Sequence, residues 1–323
     1  MTHKLQPYRF VPQFKHVIWG GTRIGTFKGV DLGGHTHVGE SWELSGLPGR
    51  ESVVADGDEA GMPLPQLIAR HGAALVGTRV FAKHGTRFPL IFKLLDATRD
   101  LSVQVHPGDA MARRLHDCAG KSEMWYVIDA EPGARIGAGL NAAYSAAEIA
   151  GMVSQHRVME VMAMFDAQVG DVFDLPAGSI HMLGAGNLVA EVQQASDITY
   201  RIWDYDRVDA DGAKRELHIE RALEAIDRDM VHRKVSVEPH HEGETPLVER
   251  AEFTVRLCDI DGTAMPHKAD DECHVLMCLA GEAALRLDDG EPTMVRRGET
   301  ILIPAACRAI SMSGKAQLLN VTV

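Results

Sequence analysis

The 323-residue chain is 45% apolar and 24% charged, the make-up of an ordinary globular protein with room for two or three compact domains. Its formal net charge of -12 gives no electrostatic reason to bind nucleic acid or an anionic membrane. No run of about 18 apolar residues occurs, so no membrane-spanning helix is expected. The opening Met1-Thr-His-Lys-Leu-Gln-Pro7 has no apolar core of a secretory signal. Five cysteines without a Cys-x-x-Cys pair read as reduced thiols, and the chain as cytoplasmic.

Short apolar runs punctuated by Gly, Pro, Asp or Asn predict a mainly β chain with inserted helices. A helix is expected at Pro65–Leu75, where proline opens an apolar repeat of helical spacing. Strands follow at Phe88–Leu95, Ser102–His106, Met124–Ile128 and Ala134–Gly137. Ser145-Ala-Ala-Glu148 is a capping box that opens a helix to Ser154. Further strands are expected at Asp171–Leu175, Leu188–Gln193 and Thr199–Trp203, then a helix at His218–Arg228. The polar stretch Val235–Pro246 holds two prolines and reads as a linker. It divides residues 1–234, expected to be catalytic, from residues 235–323, where strands fall at Phe253–Cys258, Val275–Leu279, Ala283–Leu287 and Thr300–Ile303.

An internal repeat joins the two parts. Gly170-Asp-Val-Phe-Asp-Leu-Pro176 and Gly298-Glu-Thr-Ile-Leu-Ile-Pro304 each place a glycine six residues before a proline, as a turn, a strand and a second turn would. The first copy continues to His181 and the second has no His there. Two related β-barrels are therefore expected, with a metal site in the first.

The chemistry concentrates in Leu101–Asp109, Gly120–Glu123 and Pro176–His181. Gln104 and His106 are two apart, so both leave the same face of a strand, with Ser102. Glu123 and His181 arrive from other strands. One amide, two imidazoles and a carboxylate suit Zn²⁺ and tolerate Mn²⁺, Fe²⁺ or Co²⁺. Most other histidines, His218 and the pair His240-His241 included, read as surface, core or linker residues.

Gly170 through His181 fits the second signature motif of the cupin double-stranded β-helix. Around it, Phe88–Ala97, Gln104–Pro107, Lys121–Glu123, Pro176–His181 and Glu191–Arg201 fall in the order seen in type I mannose-6-phosphate isomerases. Trp19-Gly-Gly21 and Gly39-Glu-Ser-Trp-Glu-Leu-Ser45 resemble the short bacterial branch of that family. The resemblance runs from about Trp19 to Ala222, and more weakly to the end. It implies two cupin-type jelly-roll barrels with inserted helices. It also implies one Zn²⁺ per chain bound by His106, Glu123 and His181, with Gln104 as fourth ligand. Lys121 would lie beside the metal, Arg201 would face the sugar or its phosphate, and Ser102 would lie at the phosphate end. Larger members carry a Lys a few residues after the Arg, whereas here Ile202–Arg207 follows. Either Arg207 replaces that Lys, or Ser102 and backbone amides hold the phosphate.

Aldose–ketose interconversion moves a proton between C1 and C2 through a cis-enediol. It needs polarised oxygens and a base. Lys121 and Glu191 are the candidate base pair, acting in one proton-transfer network, and Arg201 supplies fixed positive charge. The expected reaction interconverts mannose 6-phosphate and fructose 6-phosphate. A cupin phosphoglucose isomerase is disfavoured, since position 104 is Gln where such sites carry His. A sugar-phosphate sensor would need no positioned base.

Overall fold

The structure, a computed structural model, describes residues 5–208, 212–230, 234–236, 243–262, 265–267, 271–288 and 290–323. It is mostly β, with 43% strand and 18% helix. The first unit stacks two open sheets. A seven-stranded sheet runs in spatial order Lys234–Ser236, Asp171–Leu175, Glu123–Ala130, Asn187–Gln194, Leu90–Ala97, Val38–Ser45, Gln13–Gly21. A five-stranded sheet runs Tyr200–Trp203, Val103–Val105, His181–Leu183, Arg135–Leu140, Met162–Asp166. Side chains that alternate along each strand decide which face is which. Phe92, Leu94, Met124, Tyr126, Ala190 and Val192 point to an outer apolar core. Leu95, Trp125, Val127 and Val189 point inward and meet Ile136, Ala138 and Leu183 of the second sheet.

The second unit is an eight-stranded antiparallel sheet around its own core, with Leu276, Leu285, Ile301 and Leu318 at its centre. The two units share the outer core, where Leu44 and Phe92 join Val255, Leu302 and Val321. The chain start also ties them together, because Tyr8–Arg9 pairs with Thr300–Ile303. Strand Lys234–Ser236 extends the first unit's sheet, and Gly243–Glu249 begins the second. The middle of the predicted linker lies outside the described residues, as do His232, His240 and His241.

The repeat has a backbone cause. Gly170 and Gly298 adopt φ of +90° and +83°, which a side chain resists, and each leads into a short buried strand. Among the described residues no disulfide joins the cysteines. Ser145 caps the helix Ala146–Ser154 with the reciprocal Glu148 contact that its sequence predicts.

Several elements differ from the sequence reading. The helix Asp109–His116, N-capped by Gly108, is not among the expected elements. The strands expected at Val275–Leu279 and Ala283–Leu287 are one strand, His274–Leu287, with Gly281 at φ +68° and a bulge between Cys278 and Ala280. Its partner Ile310–Thr322 was not predicted, because Ser311–Gln317 breaks the apolar pattern.

Candidate active site

Six strands, three from each sheet, build the site. Across the seven-stranded sheet, Lys93, Glu191 and Trp125 stand in register on neighbouring strands. Across the five-stranded sheet, Arg201, Gln104 and His181 stand in register. The inward faces of these two rows are lined with polar groups where the rest of the inter-sheet space is apolar.

His106, Glu123 and His181 converge in the interior, each about 1% exposed, with one ligand atom apiece within 4.8 Å of the others. Backbone carbonyls fix both rings. His106 Nδ1 donates to Ile198 O and His181 Nδ1 donates to Ser179 O, each at 2.9 Å. Both Nε2 lone pairs are thereby turned to Glu123, at 3.5 Å for His106 and 3.2 Å for His181. Burial pushes the Glu123 carboxyl up to about 7, against the opposing pull of Lys121. Burial, and then Lys121, holds His106 well below its ordinary range, so its ring is neutral. Glu123 Oε1 accepts no hydrogen bond among the described residues. Acceptor nitrogens facing a buried carboxylate oxygen at these distances fit a divalent cation between them. The protein thus has a His-Glu-His cluster able to hold a metal ion.

Lys121 joins this cluster to the substrate space. Its Nζ donates to His106 Nε2 at 3.1 Å and lies 3.2 Å from Glu123 Oε2. With Ser102, Gln104, Glu191 and Arg201 it lines a cavity of about 340 Å³. All the sequence-predicted site residues therefore gather in one place, as ligand cluster or cavity wall.

Sequence reasoning passed over several others. Lys93 also lines the cavity and is almost fully buried, with Nζ 3.0 Å from Glu191 Oε2 and donating to Gln193 Oε1 at 2.5 Å. Trp125 Nε1 donates to Glu191 Oε1 at 2.8 Å. Burial alone would raise the Glu191 carboxyl, but Lys93, then Lys121 and the Trp125 bond, bring it down to about 2. Burial disfavours the Lys93 ammonium too, and Glu191 overrides it, raising the Lys93 pKa. A lysine two residues before the inward Leu95 is the periodicity signal that could have found it. Arg215, which no motif marks, and His218, read as a surface or core residue, also line the cavity. Arg207 does not enter it. Its guanidinium donates to Asp204 Oδ1 and Asp100 O, each at 2.5 Å.

The early glycine motifs shape the rim. Trp19 lines the cavity and lies against Gly39, where an added Cβ would meet the indole at 2.6 Å. Glu40 lines it as well, accepting from Trp42 Nε1 at 2.6 Å.

Fold and site together define a two-unit cupin with a buried His-Glu-His cluster in its first unit. The family models for the phosphomannose isomerase type I catalytic domain and the mannose-6-phosphate isomerase cupin domain match residues 8–131 and 243–323. Mannose-6-phosphate isomerase ManA of Bacillus subtilis is 35% identical over 97% of this chain and 98% of its own. The mannose-6-phosphate isomerase of Streptococcus mutans is 32% identical over 97% of each. A crystal structure of the mannose 6-phosphate isomerase from Bacillus subtilis superposes with a TM-score of 0.88 at 31% identity, covering 99% of this chain and 100% of that one. The chain belongs to the type I phosphomannose isomerase family.

Proposed function

We infer that the chain is an aldose–ketose isomerase that interconverts mannose 6-phosphate and fructose 6-phosphate. The observation that carries this is Lys121, which touches the His-Glu-His cluster on one side and lines the cavity on the other. Relatives named mannose-6-phosphate isomerases, at 32–35% identity over full length, support the same reaction.

The proposed metal is Zn²⁺, one per chain, held by His106, Glu123 and His181, with Gln104 as a fourth donor. When bound, it supplies Lewis acidity to the substrate oxygens and steadies charge that develops as C2 loses its proton. The protein's own groups do the rest. Lys121 is proposed to move the proton between C2 and C1 at its Nζ. Glu191, kept ionised by Lys93, holds that network's charge in place and stays a carboxylate throughout the neutral range. Arg201 and Ser102 are proposed to take the phosphate. Arg201 stands two strands from His181, roughly 10 Å at the usual strand spacing. That is the order of the reach from the reacting carbons of a hexose to its C6 phosphate. The protein is expected to act in the cytoplasm, and among the described residues no helix is long and apolar enough to cross a membrane.

A coupled assay for fructose 6-phosphate, started with mannose 6-phosphate, tests the reading. Turnover in the native protein and its loss in Lys121→Ala with metal content unchanged are expected. Full turnover in Lys121→Ala would remove Lys121 from the proton path. No turnover in metal-loaded native protein would overturn the isomerase reading.

A further inference from the structure

The departure after Arg201 leaves a phosphate with one obvious cation, and Arg207 is turned away from the cavity. The chain supplies a second cation from a different place. Arg215 lies fourteen positions after Arg201 and lines the same cavity. Its Nε donates to Asp204 Oδ2 at 2.7 Å, and its Nη2 also bonds Asp204. The segment that carries it is clipped along the Arg201 strand. His218 N donates to Arg201 O at 2.7 Å, and Arg201 Nη1 donates to Glu216 O at 2.9 Å. Arg201 and Arg215 are therefore locked side by side.

The charges there do not balance. Asp204 is the partner of both Arg207 and Arg215, and among the described residues no carboxylate pairs with Arg201. Asp204 is shared between Arg207 and Arg215, so Arg201 and Arg215 leave net positive charge on this side of the cavity wall. Arg201 Nε is buried with no hydrogen-bond partner among the described residues. Burial, and then the nearby Arg215, disfavours the charged form of Arg201. A half-buried guanidinium with an unpartnered Nε, beside a second guanidinium, favours an anion that completes both. A phosphate dianion has the matching charge and enough acceptor oxygens for both.

We propose that Arg215, oriented by Asp204, is the second phosphate-binding cation of this site, filling the role that the chain leaves open after Arg201. The proposal rests on the sugar-phosphate reading above. Asp204 acts as a positioning residue. Arg207 shares its carboxylate, so that Arg215 keeps its charge for the ligand rather than being neutralised by Asp204 alone.

The test uses the metal-loaded full chain with two readouts: KM for mannose 6-phosphate, and the dissociation constant of inorganic phosphate by calorimetry. Arg215→Gln is expected to raise both by roughly tenfold to a hundredfold, the factor that a charged hydrogen bond is worth. The rise in KM should exceed any fall in kcat, and metal content should be unchanged. Arg215→Lys, which keeps the charge and loses the fork, should fall between Arg215→Gln and the native protein, and it carries the test if Arg215→Gln does not fold. Unchanged KM and phosphate affinity in a folded Arg215 variant would overturn the proposal, as would a kcat loss without either. If the native protein turned over no mannose 6-phosphate, the isomerase reading would fail by itself. The phosphate titration would still report whether Arg215 binds the anion.

Discussion

Lys93 and Glu191 form a buried ion pair whose loss should be measurable as a coupling. Lys93 Nζ is 3.0 Å from Glu191 Oε2, with side chains 5% and 4% exposed. Replacing Lys93 with Met keeps most of the volume and removes the charge. Glu191 then sits buried with its Trp125 bond but without its nearest cation. Removing one partner of a buried pair costs about 3–5 kcal/mol. Among the groups that hold the Glu191 carboxyl down against its burial, Lys93 is the strongest. At about 2 °C per kcal/mol for a chain of this length, Lys93→Met should melt at least roughly 6 °C lower at pH 7. Glu191→Gln alone should also destabilise, since it strands Lys93. The double variant should lose less than the two single losses added together, by about 2 kcal/mol or more. Thermal and denaturant unfolding of all four proteins reads the cycle. Strict additivity, or a Lys93→Met variant as stable as the native protein, would refute the pairing.

The same carboxylate sets a pH dependence. Its folded pKa is depressed, so its stabilisation is complete above about 4.5 and lost as pH falls toward about 2. The stability gap between native protein and Glu191→Gln should therefore shrink across that window and stay flat from pH 5 to 8, as unfolding curves at stepped pH would show. Gly39→Ala places a methyl against the Trp19 ring, which should cost about 1–3 kcal/mol of stability and disturb KM by moving the cavity wall. An unaltered melting temperature would contradict the close approach. Ser145→Ala removes the capping box far from the cavity. It should cost about 1 kcal/mol and leave kinetics untouched, checked by melting and the coupled assay together.

The ligand cluster was legible because its residues sit in short strands of period two beside turn residues that fix them. Gln104 and His106 share a face by spacing alone, and Pro176-Ala-Gly-Ser-Ile carries His181 to the adjacent strand. Lys93 was hidden for the opposite reason. In the run Phe88–Ala97 its neighbours are apolar on both faces, so the strand was visible and its one inward charge was not. Arg215 and His218 had no local signal. They reach the cavity only because backbone bonds fold their segment back along Arg201, a contact that no periodicity encodes. The resemblance left Arg207 as one of two ways to hold the phosphate, but Tyr205 and Asp206 adopt φ of +56° and +54°. The turn they make presents Arg207 to Asp204 and Asp100 instead.

On this reading the His106–Glu123–His181 cluster holds a metal on which isomerisation depends. The most direct test strips the protein with a chelator, then follows fructose 6-phosphate formation from mannose 6-phosphate with and without added Zn²⁺. Activity that vanishes on stripping and returns with about one equivalent of metal, but not in His106→Ala or His181→Ala, is the predicted result. Full activity in protein shown to be metal-free would contradict the account.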